Sequence, residues 1–435
     1  MRTFAFLFCL LPLAANADNW PAWRGPTGDG VSRETDLPVV WNKTSGIIWT
    51  TPLPEWGDST PAIWKDAVFV TSHVGDKLLF LKLDKQTGAI EWTREVGTDD
   101  VSRMPLRKKE ASERSEQKFH ELQNLATPSP VTNGNVVIVH FGNGDLAAYD
   151  FAGKQLWKRN LQADYGKYTI WWGHANSPVI AGDRVISVCM QDSLADLQSD
   201  PIPSYVVAHD LHSGDERWKT MRMTHAEAEE CDAYTTPLLI EFDGKQQLVV
   251  MGGNQLDAYD PATGKQLWYL PGLVGGRTVT GPTVADGIVY ATRGMRGASV
   301  AVNLEDIARS KSPELEFHKI AWKYDQGTPD SCSPVVWGNW LFTVTDDGIA
   351  RSFDARTGNL KWKQRIKGNY KASPVAAEGR VYFLSMNGAC TVVAAGDRFE
   401  KLAENEIDDA FLASPAISDG RIYLRGHKAL YCIGK

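Results

Sequence analysis

The chain has 435 residues, of which 43% are hydrophobic and 23% charged, and its formal net charge is −7. This length accommodates two or three average domains or one closed repeat architecture, and the hydrophobic content is ample for a core. The charge is modest and spread along the chain, so neither a basic stripe for nucleic acid nor an acidic tail is indicated. Sixteen tryptophans contribute to an aromatic content of 10%, and most of them are expected to pack structurally because they recur at repeat positions.

The N-terminus has the three parts of a secretory signal. Met1-Arg2 is a charged start, Phe4 to Leu13 is a short apolar run, and Ala15-Asn16-Ala17 is a cleavage site. We therefore expect residues 1–17 to be removed and the protein to be exported to the periplasm or the extracellular space. The apolar run is too short to span a bilayer, and no later segment is long enough. Cys9 lies inside the apolar run without small residues just before it, so it is not expected to carry a lipid.

The five cysteines after Cys9 are scattered about one to a repeat, and their number is odd. This spacing does not favour a disulfide framework, so buried free thiols are the default expectation. Residues 18–46 precede the repeats and are dense in glycine and proline around Trp20 and Trp23. We expect them to form an irregular lead-in that these two tryptophans fix to the body.

From residue 47 onward the chain repeats one unit. An apolar strand, a glycine-containing turn and a strand closed by tryptophan follow each other, as between Leu256 and Trp268. Each full unit starts with a small or hydroxyl residue before a proline. The eight starts are at Pro61, Pro130, Pro178, Pro237, Pro282, Pro334, Pro374 and Pro415. The recurring tryptophans, expected to be structural, are Trp49, Trp92, Trp157, Trp218, Trp268, Trp322 and Trp362.

Four antiparallel strands in each of eight units predict an all-β, eight-bladed β-propeller that residues 47–435 form as a single domain. The eighth unit ends one strand short, whereas Ile47-Ile48-Trp49 is an outer strand without the rest of a unit. The N-terminal strand is therefore expected to complete the last blade and close the ring. Two units deviate, because Trp322 follows an insertion and Leu402 stands where the seventh unit should have tryptophan.

Loop lengths predict which face of the ring binds. Loops between the second and third strands of a blade, and loops between blades, emerge on the same face. Long insertions of these two classes therefore gather on one side, which often marks the binding side. They are Thr98 to Leu125, with a candidate short helix at Glu110 to His120, Ala163 to His174, Gln191 to Ser204, Thr220 to Ala233 and Lys323 to Ser331. The insertion Asn303 to Lys319 falls elsewhere.

Polar and aromatic residues near the starts of the inner strands are expected to converge on the mouth of the central channel. The candidate binding residues are His120, Asn124, Tyr168, Trp171, Trp172, His174, Asn176, Asp232, Tyr234, Asp330 and Lys371. No nucleophile or paired carboxylate accompanies His120 and His174, so no catalytic residue is assigned. The carboxylates after His225 match no ligand spacing, so no metal site is assigned. Trp171 and Trp172 either stack on a ligand such as a sugar or close the blade.

The pattern Asp-x-x-Thr-Gly-x-x-x-Trp, present at Asp260 to Trp268 and at Asp354 to Trp362, resembles the PQQ-like repeat family of tryptophan-docked propellers. The resemblance covers about residues 41 to 435. The family includes quinoprotein dehydrogenases and the outer-membrane assembly factor BamB. The opening Trp23-Arg24-Gly25-Pro26 with Gly28-Asp29-Gly30 also looks like exported propellers of this family that have no assigned role.

The two branches of the family imply different functions. The dehydrogenases imply PQQ (pyrroloquinoline quinone), calcium, adjacent cysteines over the cofactor and an aspartate base. Here no two cysteines are adjacent and Cys-x-x-Cys-His is absent, so we expect no cofactor and disfavour PQQ with calcium. We predict an exported, monomeric, non-catalytic scaffold that binds an envelope protein or glycan through its loop face. A PQQ-dependent dehydrogenase and a propeller that binds or cleaves polysaccharide are the alternatives.

Overall fold

The computed structural model describes residues 19–75, 77–98, 121–170, 172–191, 203–294 and 297–435. These residues form eight four-stranded antiparallel sheets arranged as the blades of a propeller, which confirms the predicted fold. Blades 1 to 4 contain β2 Ala62–Trp64, β3 Ala67–Val74, β4 Lys77–Asp84 and β5 Ile90–Thr98; β6 Val131–Thr132, β7 Val137–His140, β8 Asp145–Tyr149 and β9 Gln155–Asn160; β10 Val179–Ala181, β11 Arg184–Cys189, β12 Ser204–Asp210 and β13 Glu216–Arg222; β14 Leu238–Phe242, β15 Lys245–Gly252, β16 Gln255–Tyr259 and β17 Gln266–Leu270. Blades 5 to 8 contain β18 Thr283–Ala285, β19 Ile288–Thr292, β20 Ser299–Asn303 and β21 Trp322–Tyr324; β22 Val335–Trp337, β23 Trp340–Val344, β24 Ile349–Asp354 and β25 Leu360–Arg365; β26 Val375–Ala377, β27 Arg380–Leu384, β28 Ala389–Ala394 and β29 Lys401–Glu406; β30 Ala416–Ser418, β31 Arg421–Arg425, β32 Ala429–Ile433 and β1 Ile47–Pro52.

Burial decreases from the channel to the rim of each blade. The second and third strands are mostly buried, and β7 and β8 are buried at every position, because both faces of these strands pack on neighbouring blades. The outermost strands expose most of their side chains, and in β25 only Trp362 is buried. The first strands of neighbouring blades contact one another around the channel. The described connections include two α-helices, α1 Leu161–Tyr165 and α2 Leu304–Arg309, and the 3-10 helices Ala228–Cys231 and Phe317–Lys319.

The N-terminal strand closes the ring. β1 pairs antiparallel with β32, and Trp49 lies opposite Cys432 while Thr51 lies opposite Leu430. The last blade is thus completed by the first regular strand of the chain, as the sequence predicts. Closure gives blade 8 the same four strands as the other seven blades, so β32 is not left as an exposed edge.

The repeated tryptophans dock each blade onto the next. In six of them the indole Nε1 donates to a backbone carbonyl of the following blade, at 2.8–3.3 Å. The pairs are Trp49 with Lys85, Trp92 with Phe151, Trp157 with Leu211, Trp218 with Pro261, Trp322 with Ala355 and Trp362 with Gly396. The turn glycine of the Thr-Gly pair gives the ring room: a Cβ on Gly358 would lie 2.6 Å from Cδ2 of Trp322. Its φ of +71° also favours glycine.

The two deviating units keep the packing by other means. Trp268 donates to the side chain of Gln247 in its own blade, at 2.8 Å, because blade 5 has an insertion where blades 1 to 4, 6 and 7 have a short turn that contains glycine. That insertion pairs with the outer strand of blade 4 through the backbone of Tyr269 and Glu314. In blade 7, Phe399 packs edge-on against Trp362, with ring centroids 5.2 Å apart.

The lead-in crosses the face opposite the long loops. Between residues 19 and 46 it forms isolated bridges and turns, including a bridge from Trp20 to Ile63. Glu34 accepts backbone hydrogen bonds from Asp419 and Gly420, in the turn between the first two strands of blade 8. Glu378, in the equivalent turn of blade 7, accepts hydrogen bonds from the lead-in. The lead-in therefore ties several blades together at this end of the channel.

The five described cysteines are all buried free thiols, as the sequence predicts. They are Cys189, Cys231, Cys332, Cys390 and Cys432. Across the described residues, the model contains no helix with the length and apolarity needed to cross a bilayer. The candidate short helix at Glu110 to His120 lies outside the described residues.

Candidate functional site

An inner ring of hydroxyl residues surrounds the channel. Proline begins each inner strand, where its missing N–H costs no ladder bond, and it holds the preceding residue in extended backbone. The residue immediately before this proline is a serine or threonine in seven blades and glycine in blade 5. We call these eight residues the inner ring: Thr60, Ser129, Ser177, Thr236, Gly281, Ser333, Ser373 and Ser414.

Hydrogen bonds join the members of the inner ring. In six places the backbone N–H of one member donates to the side-chain hydroxyl of the member in the next blade, at 2.8–3.1 Å. The Thr60 hydroxyl also donates to the Ser414 carbonyl, at 3.1 Å, which joins blade 1 to blade 8. Since these groups are buried, each of the six acceptor hydroxyls satisfies an N–H that would otherwise be costly to desolvate.

A second ring lies two residues earlier in every blade. Alternate residues of an extended segment point the same way, so the residue three positions before each proline also faces the channel. We call these residues the mouth ring: Asp58, Thr127, Ala175, Tyr234, Val279, Ser331, Lys371 and Leu412. All eight line a single cavity of about 210 Å³, together with inner-ring residues, Trp23, Leu122, Gln123, Trp172 and Arg277. Eight sequence-distant positions thus form one site.

The lead-in forms the floor of this cavity. Trp23 packs against Gly281, where an added Cβ would lie 3.0 Å from Cη2 of the indole, so the glycine of the inner ring makes room for the tryptophan. The neighbouring Arg24 is fully buried and donates to the carbonyls of Asp29 and Pro334, at 2.6 and 2.5 Å. The channel is therefore closed on the lead-in side, and its cavity faces the long loops.

Two cations lie on the side of the cavity formed by blades 5 to 7. Lys371 Nζ contacts Asp346 Oδ2 at 2.6 Å and the Ser331 hydroxyl at 3.0 Å. Arg277 forms ion pairs with Asp330, at 2.9 Å, and with Glu229, at 3.4 Å. Both cations are about 30% exposed, so they reach the cavity while carboxylates hold them from behind.

A carboxyl group faces the cavity from the opposite side, on blade 1. Asp58 Oδ2 accepts from the Thr127 hydroxyl at 3.3 Å, and its buried Oδ1 has no partner among the described residues. Burial raises the pKa of Asp58 to about 7, although the nearby Arg425 opposes this shift. Arg425 is itself fully buried in β31 and donates to Ser59. Asp58 is therefore partly protonated near neutral pH.

The structure places the predicted binding residues at different depths. Trp172, Tyr234 and Lys371 line the cavity, and Asp330 lies just behind it as a partner of Arg277. Four others are buried and do not line the cavity: Asn124, His174, Asn176 and Asp232. Asn124 and Asn176 hold loop backbone, because their amides donate to the carbonyls of Trp56 and Thr235. His120 and Trp171 lie outside the described residues.

Tyr168 and His174 belong to a buried aromatic cluster. The His174 ring stacks with Tyr168, at 5.1 Å between centroids, and its Nε2 lies 3.2 Å from Nδ1 of His140. Burial lowers the pKa of His174 to about 4 and the pKa of His140 well below its ordinary value. Both imidazoles are therefore neutral at physiological pH and pack within the blades.

The sequence interpretation missed Asp58 and Arg277 as cavity residues. Asp58 stands three positions before Pro61, as Tyr234 stands before Pro237 and Lys371 before Pro374. Aligning the eight starts and comparing this one position would have found Asp58 and the whole mouth ring. Arg277 lies outside this register, so only the folded arrangement brings it to the cavity.

Comparison with known proteins identifies the family. The family model described as outer membrane protein assembly factor BamB matches residues 31–200, 203–331 and 318–400. The chain belongs to this family. BamB-like propellers share the PQQ-like repeat, so the resemblance inferred from the Asp-x-x-Thr-Gly-x-x-x-Trp pattern is confirmed. No curated protein matches the chain.

Solved structures show the same fold at low sequence identity. BamB from Moraxella catarrhalis is similar with a TM-score of 0.60 and 14% identity, over 89% of this chain and 99% of that one. Quinohemoprotein alcohol dehydrogenase from Comamonas testosteroni has a TM-score of 0.69 and 13% identity, over 95% of this chain and 80% of that one. The dehydrogenase ADHIIG from Pseudomonas putida HK5 has a TM-score of 0.64 and 12% identity, over 94% and 76%. These BamB-like propellers therefore share an architecture with enzymes.

Proposed function

We propose that this protein is an exported, non-catalytic binding scaffold that engages an envelope protein or glycan through its loop face. The observation that carries the proposal is the pair of rings. The inner ring repeats hydroxyl residues that join the blades, whereas the mouth ring presents eight different residue types to one cavity. A repeated scaffold with a varied, concave surface suits recognition.

The residues of the cavity support binding without chemistry. Asp58 is the one carboxylate among the described residues that line the cavity, and no cysteine lines it. Calcium takes six to eight oxygen ligands, commonly including several carboxylates. The volume of about 210 Å³ is also below the roughly 300–1,000 Å³ of pockets for larger ligands. This donor set does not fit calcium-bound PQQ, so we derive no oxidation step through it.

The family favours a partner outside the molecule. A relative in fold, BamB, is named as an assembly factor, and we extend the idea of a protein-binding scaffold to this chain as a proposal. Export is proposed from the signal-like N-terminus, residues 1–17, which the structure does not describe.

Capture from envelope extract tests the proposal. The wild-type protein is compared with the triple variant Asp58→Asn, Tyr234→Ala, Lys371→Met, and with Lys401→Met as a matched control. Lys401 belongs to the same blade as Lys371 but pairs with Glu404 on the outer strand. We expect a retained protein or glycan that the triple variant loses and the control keeps. If every variant retains the same material as the wild type, the loop-face proposal is wrong.

The PQQ-dependent dehydrogenase is the second candidate, because two quinohemoprotein dehydrogenases share the fold. Purified protein is mixed with PQQ and calcium and assayed with alcohols, sugars and an artificial electron acceptor. We expect neither stoichiometric uptake of PQQ nor turnover. Uptake together with turnover would replace the scaffold proposal with an enzyme.

A further inference from the structure

The inner ring presents hydrogen-bond donors to the cavity. Five of its hydroxyl residues line the cavity: Ser129, Ser177, Thr236, Ser373 and Ser414. Each hydroxyl oxygen already accepts a backbone N–H from the preceding blade. Within the described residues none of these five hydroxyl hydrogens has an acceptor. A hydroxyl whose oxygen accepts an N–H in this way is left with its O–H as a donor, so the inner ring favours a ligand with several oxygen acceptors.

Charged side chains lie on two opposite sides of the cavity. Lys371 and Arg277 line the cavity from the side of blades 5 to 7, where Lys371 also pairs with Asp346 and Arg277 with Asp330 and Glu229. Asp58 lies on the opposite side. Gln123 also lines the cavity and donates from Nε2 to the Gly173 carbonyl at 3.1 Å, which leaves its Oε1 as an acceptor. The cavity therefore combines a place for an anion with separate acceptors for hydroxyl groups. Charge-assisted hydrogen bonds to the cations would be the strongest of these contacts.

Aromatic rings supply the flat surfaces. Trp23 forms the floor, and Trp172 and Tyr234 line the wall on the side of blades 3 and 4. Aromatic side chains with a polar tip suit ligands that are apolar on one face and polar at the edge. The cavity volume of about 210 Å³ is sufficient for one small ring.

We propose that the cavity binds a single acidic sugar, a hexuronate residue at the end of an envelope glycan. Its carboxylate would lie against Lys371 and Arg277, its ring oxygens and hydroxyls against the inner ring and Asp58, and its C–H face against an indole. A peptide C-terminus is a poorer match, because the aliphatic lining is limited to Leu122, Ala175, Val279 and Leu412. This inference rests on the proposed loop-face function and names the chemistry of its ligand.

Calorimetric titration of the purified protein tests the inference with four probes. They are galacturonate, galactose, acetate and an N-acetylated dipeptide with a free carboxylate. We expect galacturonate to bind with a dissociation constant of about 1 mM or lower. Galactose, which lacks the carboxylate, should bind ~10-fold to 100-fold more weakly, as expected for the loss of a hydrogen bond between charged groups. Acetate, which lacks the ring, should also bind at least ~10-fold more weakly.

Two variants locate the binding. Lys371→Met should weaken galacturonate binding ~10-fold and leave the weak binding of galactose unchanged, whereas Lys401→Met should change neither. Arg277→Met provides a second test of the cationic side if Lys371→Met does not fold. Equal binding of galactose and galacturonate, acetate binding as tight as galacturonate, tighter binding of the dipeptide, or no binding of galacturonate would each overturn the acidic-sugar site.

The outcome is separable from that of the proposed function. If the envelope capture depends on the mouth ring but galacturonate does not bind, the scaffold proposal stands and the acidic-sugar inference is wrong. If galacturonate binds while the envelope capture fails, the cavity is a sugar site and the proposal of a larger envelope partner is wrong.

Discussion

The inner ring and the mouth ring stand two residues apart on the segments that lead into the innermost strands, yet the inner-ring residues are alike and the mouth-ring residues differ. Seven of the eight inner-ring positions carry a hydroxyl, and six of these hydroxyls accept a buried N–H from a neighbouring blade. The mouth ring carries aspartate, threonine, alanine, tyrosine, valine, serine, lysine and leucine at geometrically equivalent positions. Within one chain, repetition therefore marks structure and variation marks the surface available for recognition.

Ring closure should give the largest effect on the repeated scaffold. A chain lacking residues 19–52 loses Trp49 and all of β1, so β32 becomes an unpaired edge. We expect its melting temperature to fall by more than ~10 °C, which corresponds to several kcal/mol in a domain of this size. A chain lacking only residues 19–31 keeps β1 and loses the floor of the cavity, so its melting temperature should fall less. An unchanged melting temperature for the longer deletion would contradict closure by β1.

Substitution of a glycine that a docking tryptophan contacts should give the next largest loss of stability. Gly358→Ala places a Cβ 2.6 Å from the Trp322 ring at a φ of +71°, and we expect a loss of ~3 kcal/mol or more in unfolding free energy. Gly244→Ala is the matched control, because its φ is +68° and nothing lies within 4 Å of the added Cβ. It should cost ~1 kcal/mol. Chemical denaturation measures both, and equal losses would show that the tryptophan contact contributes nothing beyond backbone strain.

An inner-ring hydroxyl should matter for stability alone. Ser333 accepts from the Gly281 N–H at 2.8 Å and does not line the cavity. Ser333→Ala leaves this N–H unsatisfied, so we expect a loss of ~1–3 kcal/mol in unfolding free energy. Capture of the envelope partner by the folded fraction should be unchanged. A neutral effect on stability would show that the ring bonds are dispensable.

The pH dependence of stability should separate the mouth ring from the buried cluster. His174 has a folded pKa of about 4, below its unfolded value, so its contribution is present at neutral pH and is lost as the pH falls from ~6.5 to ~4. Asp58 has a folded pKa of about 7, above its unfolded value, so its contribution is lost as the pH rises from ~4 to ~7.

Thermal melts across this range test both signs. His174→Gln should reduce the loss of stability on acidification, and Asp58→Asn should reduce the loss on raising the pH toward neutral. The difference in slope between each variant and the wild type is the readout, because it is independent of the starting stability. Slopes that match the wild type would contradict the assigned environments of these two groups.

Most of the fold could be predicted from the sequence, because its devices recur. Eight prolines mark the inner strands and seven tryptophans mark the outer ones. The spare outer strand at Ile47-Ile48-Trp49 predicts that the N-terminus closes the ring. The deviations are local: the partner of Trp268 changed to Gln247 because the insertion in blade 5 replaces the expected turn. Such a substitution of partners depends on side-chain packing across blades, which periodicity does not encode.

The site could be predicted only in part. Tyr234 and Lys371 could be predicted because they are polar residues just before inner strands, and both line the cavity. His174 has the same sequence appearance but points into the blade, where Tyr168 and His140 surround it. Arg277 reaches the cavity from a loop through its ion pair with Asp330. The direction of a loop side chain depends on contacts between blades, so sequence position alone does not determine it.

The central claim is that the mouth ring recognises and the inner ring supports. The most direct test measures envelope capture and melting temperature together, for the triple variant Asp58→Asn, Tyr234→Ala, Lys371→Met and for Ser333→Ala. The triple variant should lose capture and keep a melting temperature within ~3 °C of the wild type, while Ser333→Ala should keep capture and melt at a lower temperature. Retained capture in the triple variant, or lost capture in folded Ser333→Ala, would contradict this division of roles.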